Sequence, residues 1–387
     1  MDFDLTTEQQ AIRDTCRDFA REVVAPAADD LDRNHKFGYD IVRQMGELGL
    51  FGLPFSEEVG GAGGDFVSLC LAIEEISRAD AGVGITLEAA VCLGSSPIYE
   101  FGTREQKDRW LPDLVAGRKL WAFGLTEPEA GSDAGATKTR AEQRDGRWLI
   151  NGAKQFITNS GTDISAGVTI TAVTGKTDDG HPEITALMVP AGTPGYHVLE
   201  SYRKLGWHSS DTHPLSFEDC EVPGENLLGP RGGGYRQFLH TLTGGRIAIA
   251  ALSVGVAQAC LDASLAYAKE RRTFGEPISS HQAIQFKLAD MAMESEVART
   301  MVYRAAAAYG REGGETTDEV RRLAAMSKLY ASEASKRAAD NAVQIHGGYG
   351  FMEDYPVARY WRDVKVNEIG EGTSEVQRIL IARLLGV

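Results

Sequence analysis

Asp145-Gly-Arg-Trp-Leu-Ile-Asn-Gly152 decides how this chain must be divided. Asp-Gly and Asn-Gly are two-residue turn signals, and each is flanked here by short apolar runs, a pattern that favours β-hairpins. Working outward, Thr169 to Val173, Ile184 to Val189 and Tyr196 to Leu199 are β-branched or alternating. The texture changes at about residue 119, and Pro230-Arg-Gly-Gly-Gly234 ends it. Residues 119–231 therefore read as a β domain.

On either side the spacing is helical. Thr7 and Gln10 offer a capping box before a stripe of Ile12, Cys16, Phe19 and Val23, and Thr103 and Gln106 repeat it before Trp110, Leu111 and Leu114. Leu69 to Ile76 and Ile98 to Phe101 fit buried helix faces. Beyond the glycines, Ile284, Leu288, Met291, Ala298 and Met301 form a long stripe, and a second long helix is expected around Val320 to Ile345. The expected fold is α+β: an N-terminal helical domain (1–118), a small middle β-sandwich or barrel (119–231), and a C-terminal four-helix bundle (232–387).

The chain has 387 residues, with 40 basic against 55 acidic side chains and a net charge of −15. That balance argues against a non-specific phosphate-backbone binder, so no nucleic-acid partner is expected. Cys16, Cys70, Cys92, Cys220 and Cys260 are odd in number and show no CxxC pairing, which suits buried thiols in a reducing compartment. The start MDFDLTTEQQ is unlike a targeting peptide, and no membrane span is expected. A cytoplasmic location follows as an expectation.

No GxGxxG follows a strand, and there is no GxxxxGK[ST], HExxH or GxSxG. No metal-spaced His/Cys cluster occurs, so no metal is expected. The positive motifs are Phe123-Gly-Leu-Thr-Glu-Pro-Glu-Ala-Gly-Ser-Asp133, Phe156-Ile-Thr-Asn159, Arg271-Arg-Thr-Phe-Gly275, Gln344-Ile-His-Gly-Gly348 and Glu371-Gly-Thr-Ser374. Singly, each has a plain explanation. Gly131-Ser132-Asp133 could be a turn, Arg271-Arg272 a solvated helix end, Phe156 and Phe274 core, and His281 and His346 hydrogen-bonded structural residues. Glu371, between Gly370 and Gly372, would sit on a flexible loop at a helix start, with Ser374 and Gln377 as a capping box. An acidic residue there is also common for stability alone.

Together, in this order and on an α-β-α frame, the motifs closely resemble the acyl-CoA dehydrogenase family across nearly the whole chain. TEPEAGSD and EGTSEVQR are its most specific motifs. Gly244-Gly-Arg-Ile247 through Ala266-Tyr-Ala-Lys-Glu-Arg271 looks most like the short-chain, butyryl-CoA branch. The resemblance implies FAD-dependent α,β-dehydrogenation of an acyl-CoA to a trans-2-enoyl-CoA. Glu371 would remove the α-proton, and flavin N5 would take the β-hydride. The other place where relatives carry the base is Gly245 here, which leaves Glu371 as the matching carboxylate.

The resemblance implies further roles. Leu125, Thr126 and Thr158 match contacts to the isoalloxazine ring, with Phe123 and Thr373 beside the cofactor. Phe156 stands where the family usually has tryptophan, keeping the aromatic contact and losing the indole N–H. Ser132 matches a position near the CoA pantetheine or phosphate, and Arg246 one that positions the CoA end and the base loop. Arg271, Thr273, Phe274, Gln282, Gln344 and Gly348 match residues that reach the FAD pyrophosphate and adenosine from a neighbouring subunit. A homo-oligomer, a dimer of dimers, is implied, with electron-transferring flavoprotein as acceptor. Gly370 replaces a bulky residue, and Gly245 is also small. Either the pocket beside Cα–Cβ is widened for branched acyl groups, or a neighbouring side chain fills the gap; Gly372 completes this wall. An acyl-CoA oxidase would share the half-reaction but usually carries a further C-terminal domain. Nucleic-acid-associated relatives rely on basic surfaces that this chain lacks.

Overall fold

The computed structural model describes residues 4–311 and 316–387, so the first three residues of the expected N-terminal domain lie outside it. Seven helices come first: α1 (Thr7–Phe19), α2 (Ala25–Asn34), α3 (Tyr39–Glu47), α4 (Phe66–Ala79), α5 (Ala81–Glu88), α6 (Ser96–Phe101) and α7 (Arg104–Val115). The capping box of α7 uses Thr103 and Gln106 as expected. That of α1 uses Thr6 and Gln9, one residue earlier than the sequence pattern suggested. Two adjacent threonines offered the same chemistry, and only the backbone geometry separates them.

Seven strands follow: β1 (Leu120–Gly124), β2 (Arg140–Arg144), β3 (Arg147–Thr158), β4 (Ser165–Lys176), β5 (Pro182–Pro190), β6 (Tyr196–Val198) and β7 (Thr212–Pro223). They form one curled sheet in the order β1-β4-β2-β3-β7-β6, with β5 paired to β4. Its own core gathers Trp148, Ile150, Val168, Ile170, Leu187, Leu215 and Phe217. Asp145-Gly146 makes the tight turn between β2 and β3, with φ of 47° and 76°. Asn151-Gly152 does not turn. It lies inside β3 at an irregularity in the pairing with β7, where a Cβ on Gly152 would come within 2.5 Å of the Thr139 hydroxyl. The glycine answers a close approach, the other reason for glycine in a strand.

The chain returns to helices in α8 (Gly234–Glu270), followed by a short hairpin, β8 (Arg272–Thr273) and β9 (Glu276–Pro277). Then come α9 (Gln282–Arg311), α10 (Asp318–His346), α11 (Pro356–Asp363) and α12 (Ser374–Leu385). Helices from both ends of the chain share one continuous core, in which Leu69, Ile73 and Ile76 of α4 join Ile247, Leu252 and Val254 of α8 and Val302 and Ala306 of α9. Ala81–Phe101 and α8 are, by length and composition alone, apolar enough to cross a membrane, but most of each is buried inside the protein, as in a core helix. All five cysteines are buried and free.

Candidate active site

The motif residues lie in the loop after β1, at the end of β3, in the β8–β9 hairpin, at the end of α10 and in the loop before α12. In the loop after β1, Glu127 is buried. Its carboxylate receives Lys154 Nζ at 2.7 Å, the Thr137 hydroxyl, and the backbone N–H groups of Lys138 and Thr139 at 2.5 and 3.2 Å. Lys154 also reaches the Thr171 hydroxyl and the Leu125 carbonyl. Burial lowers the Lys154 pKa to about 8, against the pull of Glu127. This pair fixes the loop that carries Leu125 and Thr126, whose carbonyl accepts from the Gln155 N–H at 2.8 Å. Phe123 is half-buried and stacks on Phe238 of α8 at 4.1 Å, a packing role. Ser132 is exposed further along the same loop.

The next motif lies at the end of β3. Phe156 is not core: it is 62% exposed with φ of 61°. A bulky side chain held in the left-handed region and in solvent costs energy, and such strain clusters at functional positions. Thr158, the last residue of β3, pairs with Thr212 at the start of β7. Asn159 is buried, and its amide donates to the Thr86 carbonyl at 3.1 Å, tying the sheet to α5.

Phe274 repeats the pattern of Phe156. It occupies the β8–β9 turn with φ of 51°, followed by Gly275 at 87°, and is 97% exposed. Both values suit a turn that usually selects Asn-Gly, so an aromatic here is kept against local preference. Arg271 is exposed over the Tyr349 ring, while Thr273 bonds His281 at 2.9 Å. Gln282, Gln344 and Gly348 are exposed, and a Cβ at Gly347 or Gly348 would meet nothing within 4 Å. His346 is buried, bonded to the Ala342 carbonyl and stacked on Tyr267 at 4.2 Å. Both histidines are therefore hydrogen-bonded, and neither aromatic is core.

The loop before α12 is pinned, correcting the expectation of flexibility. Glu371 has φ of 54° and Gly372 95°. The Glu371 carbonyl accepts from Gln377 at 3.2 Å and Arg246 at 3.4 Å; the Gly372 carbonyl accepts from Gln377 at 2.9 Å and Lys328 Nζ at 2.8 Å. The cap of α12 is Thr373, whose hydroxyl accepts from the Val376 N–H. Ser374 is already inside the helix, so the expected Ser374–Gln377 box does not form, and Gln377 serves the loop carbonyls. Nor do helix N–H groups hold the Glu371 carboxylate. The residue is only half-buried overall, but its Oε2 is shut from solvent and has no N–H or hydroxyl donor among the described residues. Burial pushes the Glu371 pKa up to about 7, against a hydrogen bond from Glu88 and the charges of Arg246 and Lys328.

Glu88, at the end of α5, and Lys328, on α10, were not anticipated. Both are fully buried. The trace each left was a lone charge in an apolar run, Ile85-Thr-Leu-Glu-Ala-Ala-Val91 and Leu323-Ala-Ala-Met-Ser-Lys-Leu329, and a buried charge needs a reason. The wall glycines divide. A Cβ on Gly245 would lie 2.4 Å from Glu371 Oε2 and 3.1 Å from Leu93 Cδ2, so neighbours already fill that gap. A Cβ on Gly370 would meet only the Val366 carbonyl oxygen at 3.6 Å, so space remains there.

Three family models match: acyl-CoA dehydrogenase N-terminal domain over residues 6–118, middle domain over 122–220, and C-terminal domain over 232–386. The chain is 52% identical over 385 residues to a probable acyl-CoA dehydrogenase, YngJ, of Bacillus subtilis, covering 100% of both chains. It superposes on butyryl-CoA dehydrogenase from Megasphaera elsdenii with a TM-score of 0.95, at 42% identity and 100% coverage of both. It superposes equally, TM-score 0.95 and 43% identity, on a chain in a structure described as electron transferring flavoprotein of Acidaminococcus fermentans, covering 100% of this chain and 99% of that one. The chain belongs to the acyl-CoA dehydrogenase family.

Proposed function

We propose that this protein is an FAD-dependent acyl-CoA dehydrogenase in which Glu371 removes the α-proton of the acyl group. The observation that carries the reading is the Glu371 carboxylate. Its Oε2 is withdrawn from water, Arg246 and Lys328 act on it, and burial raises it to a pKa of about 7, where it can both take and release a proton near neutrality. When bound, FAD supplies the acceptor for the β-hydrogen and its electron pair. The chain fits such a group, since Phe156 and Phe274 are both held exposed at strained backbone, and Gly347 and Gly348 leave their backbone open to close approach. Leu125, Thr126, Phe156 and Thr158 would take the ring end. Arg271 would pair with the pyrophosphate by charge-assisted bonds, with Thr273, Gln282, Gln344 and Gly348 beside it.

We infer that the second half of the cofactor site comes from another copy of this chain. Support comes from the apolar side chains left in solvent on the C-terminal helices: Phe286, Met293, Val297, Ile379 and Leu385. A cleft of about 210 Å³ on the same helices is lined by Met301, Leu323, Met326, Ile381 and Leu385 together with Arg304 and Arg322. Exposed apolar faces of this kind mark interfaces. A dimer of dimers would cover it, and electron-transferring flavoprotein would reoxidise the cofactor. Five free buried thiols suit a reducing, cytoplasmic setting. The open space at Gly370 favours substrates branched or bulky near the thioester.

Anaerobic titration of the purified protein with straight and 2-methyl-branched acyl-CoAs, followed by flavin absorbance, tests the reaction and its selectivity. Bleaching is expected with both classes and is relatively strongest with branched chains. A flavin untouched by every acyl-CoA would sink the proposal, and rapid peroxide production in air would favour the oxidase. Sedimentation of the holoenzyme as a monomer would remove the shared site.

A further inference from the structure

Behind Glu371 lies a second carboxyl group with no part in the reaction written above. Glu88 is wholly buried, and neither of its oxygens has a donor among the described residues. It neighbours Glu371 so that each carboxyl acts on the other as a hydrogen-bond partner, and Glu371 Oε2 likewise has no N–H or hydroxyl donor among the described residues. Its position is fixed from outside, by the Asp80 cap of α5 and by Asn159 on the Thr86 carbonyl. Two carboxyls in contact away from water cannot both be ionised, so one holds a proton.

The neighbours decide which. Arg246 of α8 and Lys328 of α10 act on Glu371, and Lys328 in turn feels Glu368 and Glu333. The titratable groups around Glu88 are Glu371 itself and the thiols of Cys70 on α4 and Cys92 in the π-helical stretch that continues α5; burial raises both thiols, which stay neutral. No cation is among them. Charge is therefore favoured on Glu371 and the proton on Glu88.

We propose that Glu88 is the proton-holding partner of the base: its carboxyl stays protonated and donates a hydrogen bond to Glu371, keeping that carboxylate ionised and aimed. The inference rests on Glu371 being the base. When the Cα–H bond breaks, its proton joins Glu371, while the proton on Glu88 stays where it is. The pair then holds two protons where it held one, and one passes to solvent as product departs. Glu88 is thus a positioning residue.

The test uses the holoenzyme in three variants, Glu88→Gln, Glu88→Leu and Glu371→Gln. In infrared spectra at about pH 9, where Glu371 and the buried Asp363, both pushed up to about 7, are ionised, the C=O band of a buried protonated carboxyl is expected in the parent protein and in Glu371→Gln, and absent in Glu88→Gln. In Glu88→Leu the donor is lost, so the acidic limb of kcat/KM is expected to move up by about one pH unit, roughly a tenfold loss on that limb. In Glu88→Gln the amide still donates, and the limb should stay near the parent position. A band that survives in Glu88→Gln, or a limb that moves down or not at all in Glu88→Leu, overturns the proposal. Turnover retained in Glu371→Gln would instead unseat the base, leaving the band readable by itself. Should Glu88→Leu not fold, the band in Glu88→Gln alone decides.

Discussion

Glu127, in the loop after β1, and Glu371, in the loop before α12, both carry carboxylate oxygens withdrawn from water, but different groups meet them. Glu127 meets a lysine, a hydroxyl and two backbone N–H groups, and these hold its pKa below the usual carboxylate range despite burial. Glu371 has cations nearby, Arg246 and Lys328, but they spend their hydrogen bonds on loop carbonyls, so Oε2 has no N–H or hydroxyl donor among the described residues and burial raises the pKa. A carboxylate whose acceptors are all filled holds structure. One that no N–H group holds and whose pKa lies near neutrality can take a proton. The same residue type thus serves stability in one region and reactivity in the other, and satisfaction of its oxygens separates the two.

The sharpest way to break the comparison is to neutralise each carboxylate. Glu371→Gln should lower acyl-CoA turnover by about a thousandfold or more while keeping FAD and a thermal midpoint near the parent value; a loss of a few fold would remove the base. On the other side, Lys154→Met should destabilise the protein by about 3–5 kcal/mol, because it strands a buried Glu127. Thermal denaturation would show it, and an unchanged midpoint would mean that water replaces the lysine. Adding Glu127→Leu should restore only part, since the N–H groups of Lys138 and Thr139 then lose their acceptor.

Smaller effects probe the surroundings of Glu371. Gly245→Ala puts a methyl against the carboxylate, and kcat should fall about tenfold to a hundredfold with little change in FAD affinity, the cost of misplacing a reacting group by a fraction of an ångström to an ångström. Lys328→Met removes a cation that favours the ionised base. The base is active only when deprotonated, so activity rises with pH through about 7, and in this variant that rise should shift to higher pH. A profile that stays put would confine Lys328 to holding the Gly372 carbonyl. Last, Gly370→Ala should barely alter turnover of straight chains and selectively slow branched ones, as measured by the ratio of their kcat/KM values.

Much of this was legible in residue order. Periodicity marked α4, α9 and α10, and the Asp145-Gly146 turn marked the sheet, because these are local consequences of where apolar side chains and permissive backbones fall. The failures were also local. Thr6 or Thr7, and Thr373 or Ser374, are chemically equal candidates for a cap, and Asn151-Gly152 spells a turn whether or not the chain takes it. What the order of residues could not convey was pairing at a distance. Lys154 completes Glu127 from 27 positions away, and Lys328 reaches Gly372 across 44.

The sequence by itself determined the α-β-α division, the family, and Glu371 as the carboxylate to watch, since motif and periodicity reside in neighbours along the chain. Tertiary structure decided that Gly245 is filled while Gly370 is open, that Phe156 and Phe274 face solvent, and that Glu88 stands against Glu371. Those outcomes depend on which helix end meets which loop, and burial, proton affinity and free space arise only where such separate segments come together.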